Sequence, residues 1–451
     1  MKRVDLRGAD TADIVRLLMK PAFDEIVISE KVQARIERTF GEALSPQQLV
    51  DRIVGDIRRR GDDAVLEYTV KIDGVTLTAA GMEVTAAEKK QAMAALPAEL
   101  ADVLQQAAAN IRRFYEEQLE NDRPWTSSRG TDSWVGQRRT PLDRVGIYVP
   151  GGTAAYPSSV LMTAIPAVVA GVREVMMMVP PSPDGSVNPL VLAAAEIAGV
   201  NRIFRIGGAQ AIAALAFGTA TVPKVDKIVG PGNIFVTLAK KAVYGYCDID
   251  MLAGPSEIMI VADGSADAAY VAADMLSQAE HDELASSILV TDSETVAAQV
   301  EQELQVQLAT LPRAATAQTA LERQGLILLV RDLDQAAECV NAAAPEHLEI
   351  LTETPEALLP GIRHAGAIFL GAYSPEPLGD YFAGPSHVLP TGGTARYASV
   401  LNADTFRKTT SLIAYAPADL SAVGAAVVRL AEAEGLSAHA RAIALRRNKN
   451  V

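Results

Sequence analysis

At 451 residues the chain exceeds what one hydrophobic core ordinarily supports, so at least two domains are expected. An apolar fraction of 49% beside 21% charged residues argues against disorder, and 5% aromatics favour close-packed α/β layers over a β sandwich. A net charge of −14 weighs against nucleic acid or an anionic membrane as a main partner.

Ile14, Leu17 and Leu18 recur at helical spacing and Lys20-Pro21 stops them, which predicts a small helical arm over residues 1–43. From Ser45 an amphipathic helix should run through Leu49, Ile53 and Ile57, with Gly61 as its C-cap. A long helix is predicted over 86–119. Residues 125–140, with Ser127, Ser128, Gly130 and Gly136, read as loop or irregular strand. At Arg144 the texture changes. Short apolar runs near 145–149, 175–179, 203–206 and 228–229 alternate with helices near 158–170 and 189–198. A second series begins at 257–261, continues with a helix over 266–280, and has further strands near 287–291, 326–330, 348–351 and 367–370. Such alternation marks doubly wound, parallel sheets. We therefore expect two Rossmann-like α/β domains: a discontinuous one over 44–147 and 258–400, and an inserted one over 148–257. A mostly helical segment, 401–451, closes the chain.

Cys247 and Cys339 lie far apart and neither belongs to a Cys-x-x-Cys motif, which predicts reduced, structural thiols in a cytoplasmic protein. The chain opens Met1-Lys2-Arg3-Val4-Asp5 and soon meets Asp10 and Asp13, without a signal-peptide apolar region. The longest apolar stretch, 160–172, carries Pro166 and falls short of the roughly 18–20 residues that span a bilayer. A few basic residues (Arg446, Arg447, Lys449) gather at the end as a solvated tail.

The chemistry centres on Ala344-Pro345-Glu346-His347-Leu348-Glu349. Pro345 disfavours a helix through the pair, and Leu348, Ile350 and Leu351 start a buried strand, so Glu346 and His347 should stand at a helix-to-strand junction. An imidazole and a tunable carboxylate there could share two proton transfers. Gln278 and His281, three apart, fall on one helix face. Asp380 and His387 lie in a Gly- and Pro-punctuated loop, and Glu434 and His439 near a helix end. Nitrogen and oxygen donors of this kind suit zinc or another borderline divalent metal. Three turns, Pro150-Gly151-Gly152, Gly207-Gly208-Ala209-Gln210 and Gly230-Pro231-Gly232-Asn233, each follow a strand and open a helix. None is the Gly-x-Gly-x-x-Gly fingerprint, yet the carboxyl end of a parallel strand is where such sheets bind pyrophosphate. These residues alone leave open a dehydrogenase and a zinc hydrolase that uses Glu346 with metal-bound water.

Seven motifs occur in one order: RVGIYVPGG from Arg144, GGAQAIAAL from Gly207, VDKIVGPGNIFVT from Val225, AGPSE from Ala253, SQAEHD from Ser277, APEHL from Ala344 and TGGTARY from Thr391. Together they resemble histidinol dehydrogenase from about Pro46 to Ala440. The resemblance implies oxidation of L-histidinol to L-histidine in two NAD-dependent steps, the last of histidine biosynthesis, in a cytoplasmic homodimer with shared active sites. It implies zinc (Zn2+) held by Gln278, His281, Asp380 and His439, the last from the partner subunit, and Glu346 and His347 as the acid–base pair. It further implies that Ser256, His387 and Glu434 contact substrate, together with His347 and the metal-binding residues, and that Tyr148, Gln210 and Asn233 contact NAD. One departure is Ser386, where the family often has Asn.

Overall fold

The computed structural model describes residues 1–20, 28–122, 124–151 and 155–447; Pro21, Gly152 and Lys449, named above, lie outside them. Local chemistry sets many element ends. Ser45 accepts from the amide of Gln48 while the Gln48 side chain accepts from the amide of Ser45, a reciprocal cap that starts the helix Pro46–Arg60. The helix expected over 86–119 is two, Ala86–Ala95 and Ala98–Asn121, because Pro97 forces Leu96 out of helical geometry.

The chain divides into two units, the first comprising Met1–Glu116 and Asp143–Phe406. It holds two wholly parallel sheets. The six-stranded one runs Lys2–Asp5, Leu326–Leu329, Ser286–Thr291, Glu257–Ala262, His347–Leu351, Ala367–Leu370 from edge to edge. Its central strands are buried along their whole length, as strands covered by helices on both faces must be. The amino-terminal segment, expected to be a helical arm, thus also supplies an edge strand. The five-stranded sheet runs Arg202–Phe204, Glu174–Met178, Arg144–Tyr148, Lys227–Val229, Asp248–Ile249.

The second unit, Glu117–Leu142 and Arg407–Val451, contains an antiparallel sheet absent from the sequence reading: Arg407–Ala414, Trp134–Pro141, Thr126–Ser128. Residues 125–140 are therefore mostly strand, and the closing segment is not purely helical. Two helices follow, Pro417–Ala433 and Ser437–Arg447. Asp419 accepts from the amides of Thr131 and Asp132, which ties the first of these helices to the loop before Trp134. No helix among the described residues is long and apolar enough to cross a membrane.

Candidate active site

The helix Leu333–Ala343 ends where Ala344 turns left-handed, with φ of 47°, ahead of Pro345, and the strand starts at His347. Glu346 and His347 therefore stand at the junction expected from Pro345. Beside them runs the strand Glu257–Ala262, with His347 paired to Ile258. The chain leaves Glu257–Ala262 outward on one side and returns to His347–Leu351 on the other, so these two strands flank the point where strand order reverses. The pair sits at their amino ends.

The backbone of Glu257 holds both residues. Its N–H donates to Glu346 Oε2 at 2.8 Å, and its carbonyl oxygen lies 2.9 Å from His347 Nδ1. A carbonyl can only accept, so Nδ1 carries the hydrogen and the neutral ring presents a bare lone pair at Nε2. That nitrogen is buried and has no hydrogen-bond partner among the described residues. Its nearest carboxylate atoms are Asp380 Oδ1 at 3.9 Å and Glu376 Oε1 at 4.0 Å. Burial depresses the His347 pKa below 6.5, against the opposing charge of Glu376. Burial also raises the Glu346 carboxyl well above 4.5, the Glu257 amide pulling the other way.

Asp380 comes one helical turn after Glu376 on the short helix Glu376–Tyr381, which turns both carboxyls toward His347. Donor atoms of His347, Glu376 and Asp380 all lie within 4.8 Å of one another. Behind them the Glu376 amide donates to Glu349 Oε1 at 2.7 Å, and Glu349 pairs with Asp274. Four carboxyls so deeply placed cannot all be ionised. Burial raises Glu376 to about 7, Glu349 to about 9 and Asp274 to about 6, and it raises Asp380 as well.

Gln278 is buried near the end of the helix Ala268–Ala279, and its Oε1 has no hydrogen-bond partner among the described residues. His281 follows the helix, exposed, with Nδ1 donating to the Ser277 carbonyl at 3.0 Å. Its Nε2 is thus left as a lone-pair donor. His281 exerts an electrostatic influence on Asp380, His347 and His387, which puts it within reach of the cluster. His387 is fixed in the same way: Nδ1 donates to the Asp380 carbonyl at 3.1 Å, and Nε2 accepts from Ser159 at 3.3 Å. Burial lowers its pKa to about 4. Ser386 is fully used, its amide donating to Tyr115 Oη and its hydroxyl to the Met162 carbonyl. Ser256 is half-buried and directly precedes Glu257.

The three nucleotide-contact candidates gather at carboxyl ends of the five-stranded sheet. Tyr148 ends its strand and its hydroxyl accepts from the Gly208 amide at 3.1 Å. Gln210 donates to Asp73 at 3.2 Å, while its buried Oε1 has no hydrogen-bond partner among the described residues. Asn233 caps the helix Ile234–Val243 by accepting from Phe235 and Val236. Strands Arg144–Tyr148 and Lys227–Val229 flank that sheet's own reversal point, and they approach so closely that a Cβ on Gly230 would lie 2.2 Å from the Tyr148 carbonyl oxygen. Glycine is required there, with φ of 110°.

Glu434 and His439 belong to the second unit; both are exposed, at the end of the helix Pro417–Ala433 and in the helix Ser437–Arg447. The sequence reading passed over Glu376, Glu349 and Glu257. For Glu376 a signal existed, since it lies four residues before Asp380 at helical spacing.

The Histidinol dehydrogenase family model matches residues 37–447. The chain is 52% identical over 433 residues to a histidinol dehydrogenase of Syntrophotalea carbinolica, covering 96% of this chain and 99% of that one. It is 52% identical over 436 residues to that of Heliobacterium mobile, covering 97% and 100%. The crystal structure of histidinol dehydrogenase from Elizabethkingia anophelis superposes with a TM-score of 0.91 at 34% identity, covering 100% of this chain and 98% of that one. With the match running nearly end to end in sequence and in structure, the chain belongs to the histidinol dehydrogenase family.

Proposed function

We propose that the protein oxidises L-histidinol to L-histidine through L-histidinaldehyde, in two NAD-linked steps at a zinc-bearing site completed in a homodimer. The observation that carries this reading is the bare, buried Nε2 of His347, fixed in its tautomer beside Glu346 by the peptide of Glu257.

Zinc fits the residues present. The orphaned Gln278 Oε1, the His281 Nε2 lone pair and the Asp380 carboxylate are an oxygen–nitrogen donor set suited to it. Gln278, His281 and Asp380 would hold the ion together with His439 of the partner subunit. When bound, zinc supplies a fixed positive charge that clamps the imidazole and amine of the substrate and has no redox role. Tyr148, Gln210 and Asn233, on turns at strand ends where Gln210 Oε1 is left without a partner among the described residues, would contact NAD, which would supply the hydride acceptor for both oxidations.

His347 Nε2 takes the hydroxyl proton in the first oxidation. Glu346, in its ionised form, then removes a proton from water as it adds to the aldehyde carbon, and the burial that raises its proton affinity makes that carboxylate a stronger base. Once its first proton has passed to solvent, His347 takes a hydroxyl proton of the hydrate as the second hydride leaves, and the acid so formed gives up its remaining proton to yield the carboxylate. Ser256, His387 and Glu434 would contact substrate.

Support for the homodimer comes from Val423, Val427 and Leu430, exposed at helical spacing along Pro417–Ala433. Residues 401–451 would serve dimerisation, and 148–257, extended back to Arg144 where the five-stranded sheet begins, would bind the nucleotide. Buried free thiols at Cys247 and Cys339 support a cytoplasmic setting. Turnover of L-histidinol should give two NADH per histidine. One NADH, or none, refutes the proposal.

A further inference from the structure

Glu257 is unusual in what its peptide does: the N–H and the carbonyl of this one residue make the hydrogen bonds that hold Glu346 and His347. Its own side chain is a buried carboxylate, only 6% of the residue being exposed. Oε1 accepts from the Gly392 amide at 3.2 Å, and Oε2 has no hydrogen-bond partner among the described residues. What balances its charge is Lys20, whose Nζ lies 3.1 Å from Oε1. That lysine follows the first helix, Thr11–Leu18, far from Glu257 in sequence, and its side chain is 21% exposed.

A buried carboxylate without a counter-ion or a full set of donors is costly, and removing one partner of such a pair drives the other to swing out or take up a proton. At Glu257 a swing of the side chain would pull on its own peptide and so disturb the hydrogen bonds that hold the catalytic pair. We infer that Lys20 is a positioning residue for the oxidation: by neutralising Glu257 it fixes the peptide that aims Glu346 and His347. Small errors in aim are costly to rate, because positioning contributes many kcal/mol to such reactions. The inference rests on the assignment of Glu346 and His347 as the catalytic pair. A simple tether for the amino-terminal segment would serve stability and leave turnover alone.

The test uses full-length, zinc-loaded enzyme carrying Lys20→Met, Lys20→Arg, Glu257→Gln or Lys20→Met with Glu257→Gln, with Glu346→Gln and His347→Asn as controls. Lys20→Met should lower kcat by about 30-fold while KM for histidinol and NAD changes less than about 3-fold. Lys20→Arg, which keeps the charge, should restore most of kcat. In the Glu257→Gln background, where no carboxylate needs balancing, Lys20→Met should cost less than about 2-fold more. That comparison also decides the matter should Lys20→Met alone fail to fold. An unchanged kcat in Lys20→Met, no restoration by Lys20→Arg, or a full loss repeated in the Glu257→Gln background overturns the inference. Should both controls keep wild-type turnover, the catalytic assignment itself is what fails.

Discussion

Replacing Glu346 with Gln should separate the two oxidations. The Glu257 amide donates to Glu346 Oε2 at 2.8 Å, and the amide oxygen of Gln can accept the same bond at nearly the same volume. The side chain should therefore stay in place and lose only its basicity. General-base assistance of this kind contributes about 10²–10⁴-fold, so the aldehyde-to-acid step should slow by that factor. In the proposed mechanism the first oxidation draws on His347 Nε2, whose tautomer is set by the Glu257 carbonyl and not by Glu346. It should slow by less than about 5-fold, the residue of a disturbed local field. The assay compares NADH formation from histidinol and from histidinaldehyde, in single turnovers and at steady state. From histidinol, the yield in a single turnover should fall toward one NADH, with aldehyde accumulating. Equal slowing of both steps would refute the division of labour between the two residues.

The pH profile of the aldehyde step should fall on its acid side well above 4.5, because burial raises the Glu346 carboxyl and protonation removes the base; an acid limb at or below that value contradicts this. Lys240→Met should cost about 3–5 kcal/mol in denaturant unfolding, since it strands Asp250 with side chains only 2% and 1% exposed; a loss under about 1 kcal/mol contradicts it. Gln278→Ala should weaken zinc by about 10–100-fold in a chelator competition, by removing a donor that has no other partner; unaltered affinity excludes Gln278 as a ligand. Mixed dimers of His439→Ala and His347→Asn subunits should regain activity that neither parent has. No gain in verified heterodimers excludes a shared site.

Most strands of both parallel sheets were legible because they are continuous apolar runs set off by helices, a pattern written locally in Val145 to Val149 and in Glu257 to Val261, whereas the polar edge strands Lys2–Asp5 and Asp248–Ile249 were not. The junction at Glu346 was legible because Pro345 disfavours a helix running through it. The antiparallel sheet was not. Trp134–Pro141 and Arg407–Ala414 are largely exposed, so neither strand carries the apolar alternation that burial on one face imposes, and they pair across most of the chain. Glu257 was quoted within its motif without a role, because what it contributes is backbone geometry, to which its side-chain type gives no clue. Lys20 read as a helix stop, and nothing local links it to a carboxylate in a distant strand.

The two parallel sheets draw on the chain in different ways. All strands of the five-stranded sheet come from one stretch, between Arg144 and Ile249, whereas the six-stranded sheet needs Lys2–Asp5 at one edge and Ala367–Leu370 at the other. During synthesis the first can close as it leaves the ribosome. The second must wait, its opening strand unpaired until Leu326–Leu329 arrives some three hundred residues later. The sheet that carries Glu346 and His347 is therefore among the last parts of the fold that the nascent chain can complete.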